Sequence, residues 1–233
     1  MNSELFALLR DYRVIELNHQ YEPLMPVWPT HPRFFRNDVE TYAAGDGNYN
    51  NLLQLSDHCG THVDSPAHFA PEGKTIEQVD VTWLMGRGLC IDVSAYPPDT
   101  EITTDMIAAW EQAHGEIRAR DIVLFRTGYD REWRCRPDHK TVLSDWSGLS
   151  AAGAAYLLAK GVGVIGTDAM SLDAWSNHDY PAHRLILGSD NLIMENLANL
   201  YQVPAIFTFI ALPLRIKGGS ASPVRAIALV PND

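Results

Sequence analysis

The 233-residue sequence has little cysteine and little positive charge. Its three cysteines, Cys59, Cys90 and Cys135, are odd in number and form no CxxC pair. This excludes a disulfide scaffold and fits a reducing compartment. Eighteen Lys and Arg stand against 29 Asp and Glu, a formal net charge of −11, and no basic run exceeds two residues. Such a chain repels a phosphate backbone, so nucleic acid is excluded as a partner. No window approaches the ~20 apolar residues of a membrane span. The opening MNSELFALLRDYR lacks a basic-then-apolar leader. A cytoplasmic protein with no membrane partner is expected. Repeats, low-complexity tracts and Ser/Gly linkers are also missing, so residues 1–233 read as a single domain. What is present, 46% hydrophobic and 20% charged residues, is the composition of an ordinary globular core.

Periodicity and punctuation outline the elements. Helices are expected at 4–12, at 101–113 with Thr104 as N-cap, and at 150–161 between an N-capping Ser150 and a stop at Gly161. Strands are expected at 13–18, 51–60, 88–93, 121–128, 163–173, 205–216 and 223–230. A rigid loop is set by Pro23, Pro26, Pro29 and Pro32 around Trp28. The stretch 183–200 holds a strand or helix, a turn at 188–190, and an amphipathic helix following Glu195. Strands outnumber helices, which predicts a mixed α+β or α/β domain built on a curved or barrel-like sheet.

The chemistry concentrates in His58-Cys-Gly-Thr-His62-Val-Asp64-Ser-Pro-Ala-His68. On a helix, the residue six past His58 points about 240° around the axis from it, and Gly60 and Pro66 disfavour a helix. On a strand the four even-numbered residues share one face, but a straight strand separates His58 from His62 by about 13 Å at ~3.3 Å per residue. No single cation spans that with bonds of about 2.1 Å. The segment therefore bends, at least cost at Gly60, and His58, His62 and Asp64 converge. Two imidazoles and a carboxylate suit Zn²⁺, Mn²⁺ or Fe²⁺ and leave coordination positions open. Cys59 alternates with these residues and is expected to point away from them.

This segment, HxGTHxDxPxH, resembles the signature of the cyclase / kynurenine formamidase family of metal-dependent hydrolases, which also includes isatin hydrolase-like proteins. The blocks VIELNHQYEPLMPVWP, DIVLFRTGYDREW, GVIGTDAMSLD, HRLILGSDNLIMENLANL and ALPLRIKGGSASPVRAIAL extend the resemblance over nearly the whole chain. It implies a swivelling β/β/α-type domain around a mixed, barrel-like sheet flanked by helices, assembled as a homodimer or homotetramer. It further implies one or two Zn or Mn ions per chain, held by His58, His62 and Asp64 together with His183 and Glu195. Asp64 would bridge two ions, His68 would carry protons and Trp28 would contact the substrate. The implied partner is a small aromatic or cyclic amide, and the implied reaction is hydrolysis of an amide C–N bond, as by an arylformamidase. The alternative is isatin hydrolase-like opening of a lactam or lactone. The chain departs from the family at Thr61 and Val63, where kynurenine formamidases often carry Ala, and at Thr30-His31-Pro32, where Pro-Gly-Asp is usual. These departures bear on the substrate.

Two other classes compete. An iron oxygenase uses a His–His–carboxylate set but has no use for His183 and Glu195. A non-catalytic metal-binding protein has no use for His68. His19 and His31, near the Trp28 loop, and Asp168, Ser171 and Asp173, after a buried strand, sit where loops line sites.

Overall fold

The computed structural model describes residues 10–139 and 141–232. Its elements are β1 (Tyr12–Glu16), β2 (Phe35–Glu40), β3 (Asn50–Gln54), β4 (His62–Asp64), β5 (Met85–Asp92), β6 (Glu101–Ile102), α1 (Thr104–His114), β7 (Ile122–Arg126), β8 (Gly148–Leu149), α2 (Ala151–Ala159), β9 (Val164–Thr167), α3 (Pro181–Gly188), β10 (Leu192–Glu195), β11 (Ile206–Pro213) and β12 (Ala221–Pro231).

The main sheet runs β1-β12-β11-β5-β7-β9-β10-β4, and β4 pairs again with β12. That second pairing closes seven strands into a ring, with β1 pairing residues 227–231 of β12, beyond the 221–223 stretch that β4 occupies. Strands β5, β7, β9 and β10 are parallel, and the other pairings in the ring are antiparallel. The architecture is mixed, with a closed, barrel-like sheet, as expected. Parallel strands covered on both faces read as continuous apolar runs, and Ile122-Val-Leu-Phe125 is such a run. Its Ile122 and Leu124 join Val63, Met194, Phe209 and Ala226 in one core cluster. Val123 and Phe125 face the other way, onto Ile107 and Trp110 of α1, Leu157 of α2 and Ile186 of α3. The ring thus has a core on each side, and the helices cover the second.

Several boundaries differ from expectation. Residues 4–9 of the first expected helix lie outside the described residues, and Tyr12 already opens β1. The N-cap of α1 is Thr103, whose hydroxyl accepts from Met106 N, one residue before the expected Thr104. Ser150 caps α2 as expected. The strand expected over 51–60 stops at Gln54, because β3 pairs only with β2 in a separate hairpin. No amphipathic helix follows Glu195. Asn196 and Asn199 take left-handed φ of 55° and 60°, which an α-helix cannot absorb, and Glu195 is the last residue of a strand.

The bend anticipated at Gly60 is present, with φ +62°. Tyr21 clamps it by donating from its hydroxyl to the Thr61 carbonyl at 3.0 Å. A Cβ at position 60 would stand 2.8 Å from Tyr21 Cζ, and that ring is not free to retreat. Gly60→Ala is therefore expected to cost at least about 1–2 kcal/mol for the left-handed backbone, lowering Tm by about 2–8 °C for a chain of this size. An unchanged melting curve would contradict this account of the bend.

Candidate active site

His62 and Asp64 point to the same side of β4 because side chains alternate along a strand. Val63 between them enters the barrel core. Strand register then adds a second carboxylate, since Glu195 on β10 lies directly opposite His62, and facing residues on paired strands touch. His58 returns to the same place across the Gly60 bend, and its ring centroid is 5.2 Å from that of His62. His183 descends onto the site from α3. Tyr180 precedes this helix in a left-handed conformation, and Pro181 opens it.

Each imidazole is anchored through one nitrogen, which leaves the other free. His62 Nδ1 is 2.8 Å from the Gly60 carbonyl, and His183 Nδ1 is 2.6 Å from Asp173 Oδ2. His58 Nε2 is 2.9 Å from Ser220 Oγ, which donates to Asp57. A carbonyl or carboxylate partner fixes one proton on the anchoring nitrogen, so the inward nitrogen is the one that can lose its proton and offer a lone pair to a cation. His58 Nδ1 and His62 Nε2 lie 2.8 and 3.2 Å from the same Asp64 Oδ1. His62 Nε2 is 3.6 Å from Glu195 Oε2. His183 Nε2 is 3.1 Å from Glu195 Oε1 and 3.8 Å from Asp64 Oδ2.

These residues fit a divalent cation. Donors bound tetrahedrally at about 2.1 Å lie about 3.4 Å apart, and the separations above bracket that value. Among the described residues, two groups have donor atoms all within 4.8 Å of one another: His58, Asp64 and His68, and His62, Asp64 and Glu195. Asp64 is common to both. It is 1% exposed, and the polar groups that face its oxygens are the imidazole nitrogens of His58, His62 and His183. A buried carboxylate in that condition calls for a positive charge. The titration behaviour agrees. Burial favours the protonated acid at Asp64, but His58 and His62 hold it well below the usual carboxylate range. Burial lowers an imidazole, yet Asp64 and Glu195 push His62 up to about 9. Asp173 and Glu195 likewise outweigh burial at His183, pushing it up to about 10. A bound cation would displace these protons.

The cluster forms one wall of a cavity of ≈ 200 Å³ lined also by Trp28, His31, Phe69, Met170, Ser171 and Tyr180. His68 reaches it from the turn after β4, its ring 4.0 Å from that of His58. Burial leads the causes that hold the His68 pKa below its ordinary value, so the ring is neutral near pH 7. The geometry places His68 within ligand range of His58 and Asp64, closer than a bystander need be.

Seven residues singled out in the sequence meet here: His58, His62, Asp64, His68, His183, Glu195 and Trp28. His31 and Ser171 join them at the cavity wall. His19 does not line it. It stacks on Trp133 at 4.0 Å, and burial lowers its pKa to about 4. Asp168 caps the turn after β7 by accepting from the Thr127 and Gly128 amides, and burial pushes it up to about 7. Cys59 points away, into a cluster with Met25, Val27 and Phe34. Sequence reasoning missed Ser220 and Tyr180. Ser220 lies 162 residues from its partner His58, and no local pattern announces such a contact.

A model of the family described as "Putative cyclase" matches residues 15–174. Isatin hydrolase from Roseibium aggregatum is 32% identical over 95% of this chain and 93% of its own length. Kynurenine formamidase from Erythrobacter litoralis is 30% identical over 92% of this chain and 93% of its own. The crystal structure of an isatin hydrolase bound to the product analogue thioisatinate superposes with TM-score 0.92 at 30% identity, covering 99% of this chain and 98% of that one.

Asp173→Asn keeps the shape of the His183 anchor but removes its charge. Zinc affinity, measured by chelator competition, is expected to fall about 10–100-fold. Asp64→Asn removes the carboxylate common to both donor groups and is expected to abolish binding. Wild-type affinity in Asp64→Asn would refute the assignment.

Proposed function

This chain belongs to the cyclase family, and on that footing we propose that its 233 residues form one metal-dependent hydrolase domain that cleaves an amide C–N bond in a small aromatic substrate. The observation that carries the reading is the convergence of His58, His62, Asp64, His183 and Glu195 beside a neutral His68 in an aromatic-lined cavity. The nitrogen and oxygen donors of His58, His62, Asp64, His183 and Glu195 suit Zn²⁺ or Mn²⁺, as one ion or as two that would share Asp64, with His68 beside them as a proton carrier. A cation held there supplies Lewis-acid polarisation of the carbonyl and a water acidified to a pKa of about 7.

The chain's own groups do the rest. Trp28 and Phe69 both line the cavity and offer apolar ring faces to a planar substrate, which would set its amide against the donor cluster. His68, neutral at pH 7, takes a proton from the attacking water and returns it to the leaving nitrogen. Asp173 and Ser220 hold His183 and His58 in register. The amide is acyclic, as in a formanilide, or cyclic, as in isatin. The similarity to isatin hydrolases over almost the full chain favours giving the cyclic substrate equal weight.

Among the described residues, no helix is long and apolar enough to cross a membrane. The homodimer or homotetramer reading draws support from the β2–β3 hairpin, where Phe35, Val39, Leu52 and Leu53 are 46–60% exposed. Its test is sedimentation of the purified chain.

Metal content and turnover of N-formylkynurenine and isatin test the proposal together. About one or two ions per chain are expected, lost with activity in His62→Ala. Activity that persists without bound metal would overturn the reading. His68→Gln is expected to lower kcat by about 10²–10⁴-fold while metal content holds. Because the base works as neutral imidazole and its pKa lies below 6.5, wild-type activity should fall only as the pH drops below that value. The variant should lose this acid limb.

A further inference from the structure

Behind the cavity already described lies a second one of ≈ 240 Å³, lined by Trp28, Leu143, Trp146, Ala174 and Trp175 among others. The two share three wall residues, Trp28, Ser171 and Tyr180. Trp28 lies 6.1 Å from Trp146 and 6.4 Å from Tyr180 between ring centroids. Tyr180 holds this position at φ +52°, ψ +53°, a conformation that costs a bulky residue free energy. The hydrolytic reaction proposed above makes no use of the second space.

We infer that this second cavity is a subsite for a second, apolar aromatic ring of the substrate, reached past Trp28 and Tyr180 from the reacting amide. The inference rests on the amide-hydrolase reading and specifies its substrate class as two-ring aromatic amides. A cavity of about 150 Å³ lined by apolar groups already holds a benzene ring, so the volume suffices. Trp146 and Trp175 meet edge to face at 4.9 Å and 70°, and the parts of the buried Trp146 and half-buried Trp175 that line the cavity suit contact with a third ring. Polar members of the wall are committed elsewhere. Asp173 accepts from His183 and from the Ala182 amide, and the Asn177 side chain donates to Glu101. What remains on offer is apolar and aromatic surface, the His178 ring beside Trp175, and the Ser171 and Tyr180 hydroxyls at the shared boundary.

The test compares formanilide with 3- and 4-phenylformanilide on metal-loaded protein. At least one two-ring substrate is expected to show about tenfold or greater kcat/KM over formanilide, carried mainly by KM, which is the range an added apolar group earns in a fitted pocket. Ala174→Met fills the compartment and is expected to bring that ratio to about one. Leu143→Phe serves the same purpose if the first variant fails to fold. A wild-type ratio at or below one, or a ratio untouched by filling, overturns the inference. If no amide is hydrolysed, the parent reading fails, and binding of biphenyl-4-carboxylate, followed by tryptophan fluorescence, decides this one alone. Wild type binding about tenfold more tightly than Ala174→Met sustains the subsite, and equal binding removes it.

Discussion

His62 meets Glu195 because the three-residue strand β4 is held between β10 on one side and β12 on the other. A slip of one residue in either ladder would turn His62 and Asp64 into the barrel core and bring Val63 out. The same pairing closes the ring, so closure of the fold and assembly of the ligand cluster are one structural event. Three residues supply few hydrogen bonds. The strand is secured instead by what surrounds it, with Tyr21 donating to Thr61 O, Thr61 Oγ donating to Asn196 O and Ser65 N donating to Ser220 O.

That architecture concentrates negative charge where water cannot reach. Asp64 and Glu195 are buried within a few ångströms of each other's imidazole partners, an arrangement that destabilises a fold unless compensated. The compensation is built in layers. Three histidines face the carboxylates, and each is turned by an outer acceptor or hydroxyl belonging to a different part of the chain. The rise of His62 and His183 above the ordinary imidazole value expresses the same demand for positive charge that a divalent cation would meet. Arg225, by contrast, reaches Glu16 on the exposed strand surface, where an ion pair contributes little.

Aromatic residues from distant segments shape what can approach this charge. Trp28 comes from a loop braced by prolines, Phe69 from the turn after β4, Tyr180 from the entry to α3, and Trp146 and Trp175 from the stretches before β8 and α3. Each is short-range in origin, but only their packing creates two adjoining aromatic-lined spaces with a common wall. The planar ring systems of the proposed substrates match that lining, and in the proposed reaction the donor cluster on one wall selects the bond exposed to water.

The spacing of His58, His62, Asp64 and His68 made a bent segment with converging donor groups legible from composition and bond lengths, because one flexible glycine was the sole economical way to gather them. The same local logic found most strands and the capped helices. It misread the chain after Glu195, where two asparagines in left-handed conformations end the strand in a turn, and it did not see the β2–β3 hairpin or the short β6–β8 pair. Family resemblance, rather than any local pattern, singled out His183 and Glu195. Local chemistry could name the ligands but could not place them, since strand register and sheet closure are set by contacts more than a hundred residues apart. Ser220 behind His58, Glu195 opposite His62, and the second aromatic space beyond Trp28 follow from those long-range contacts alone.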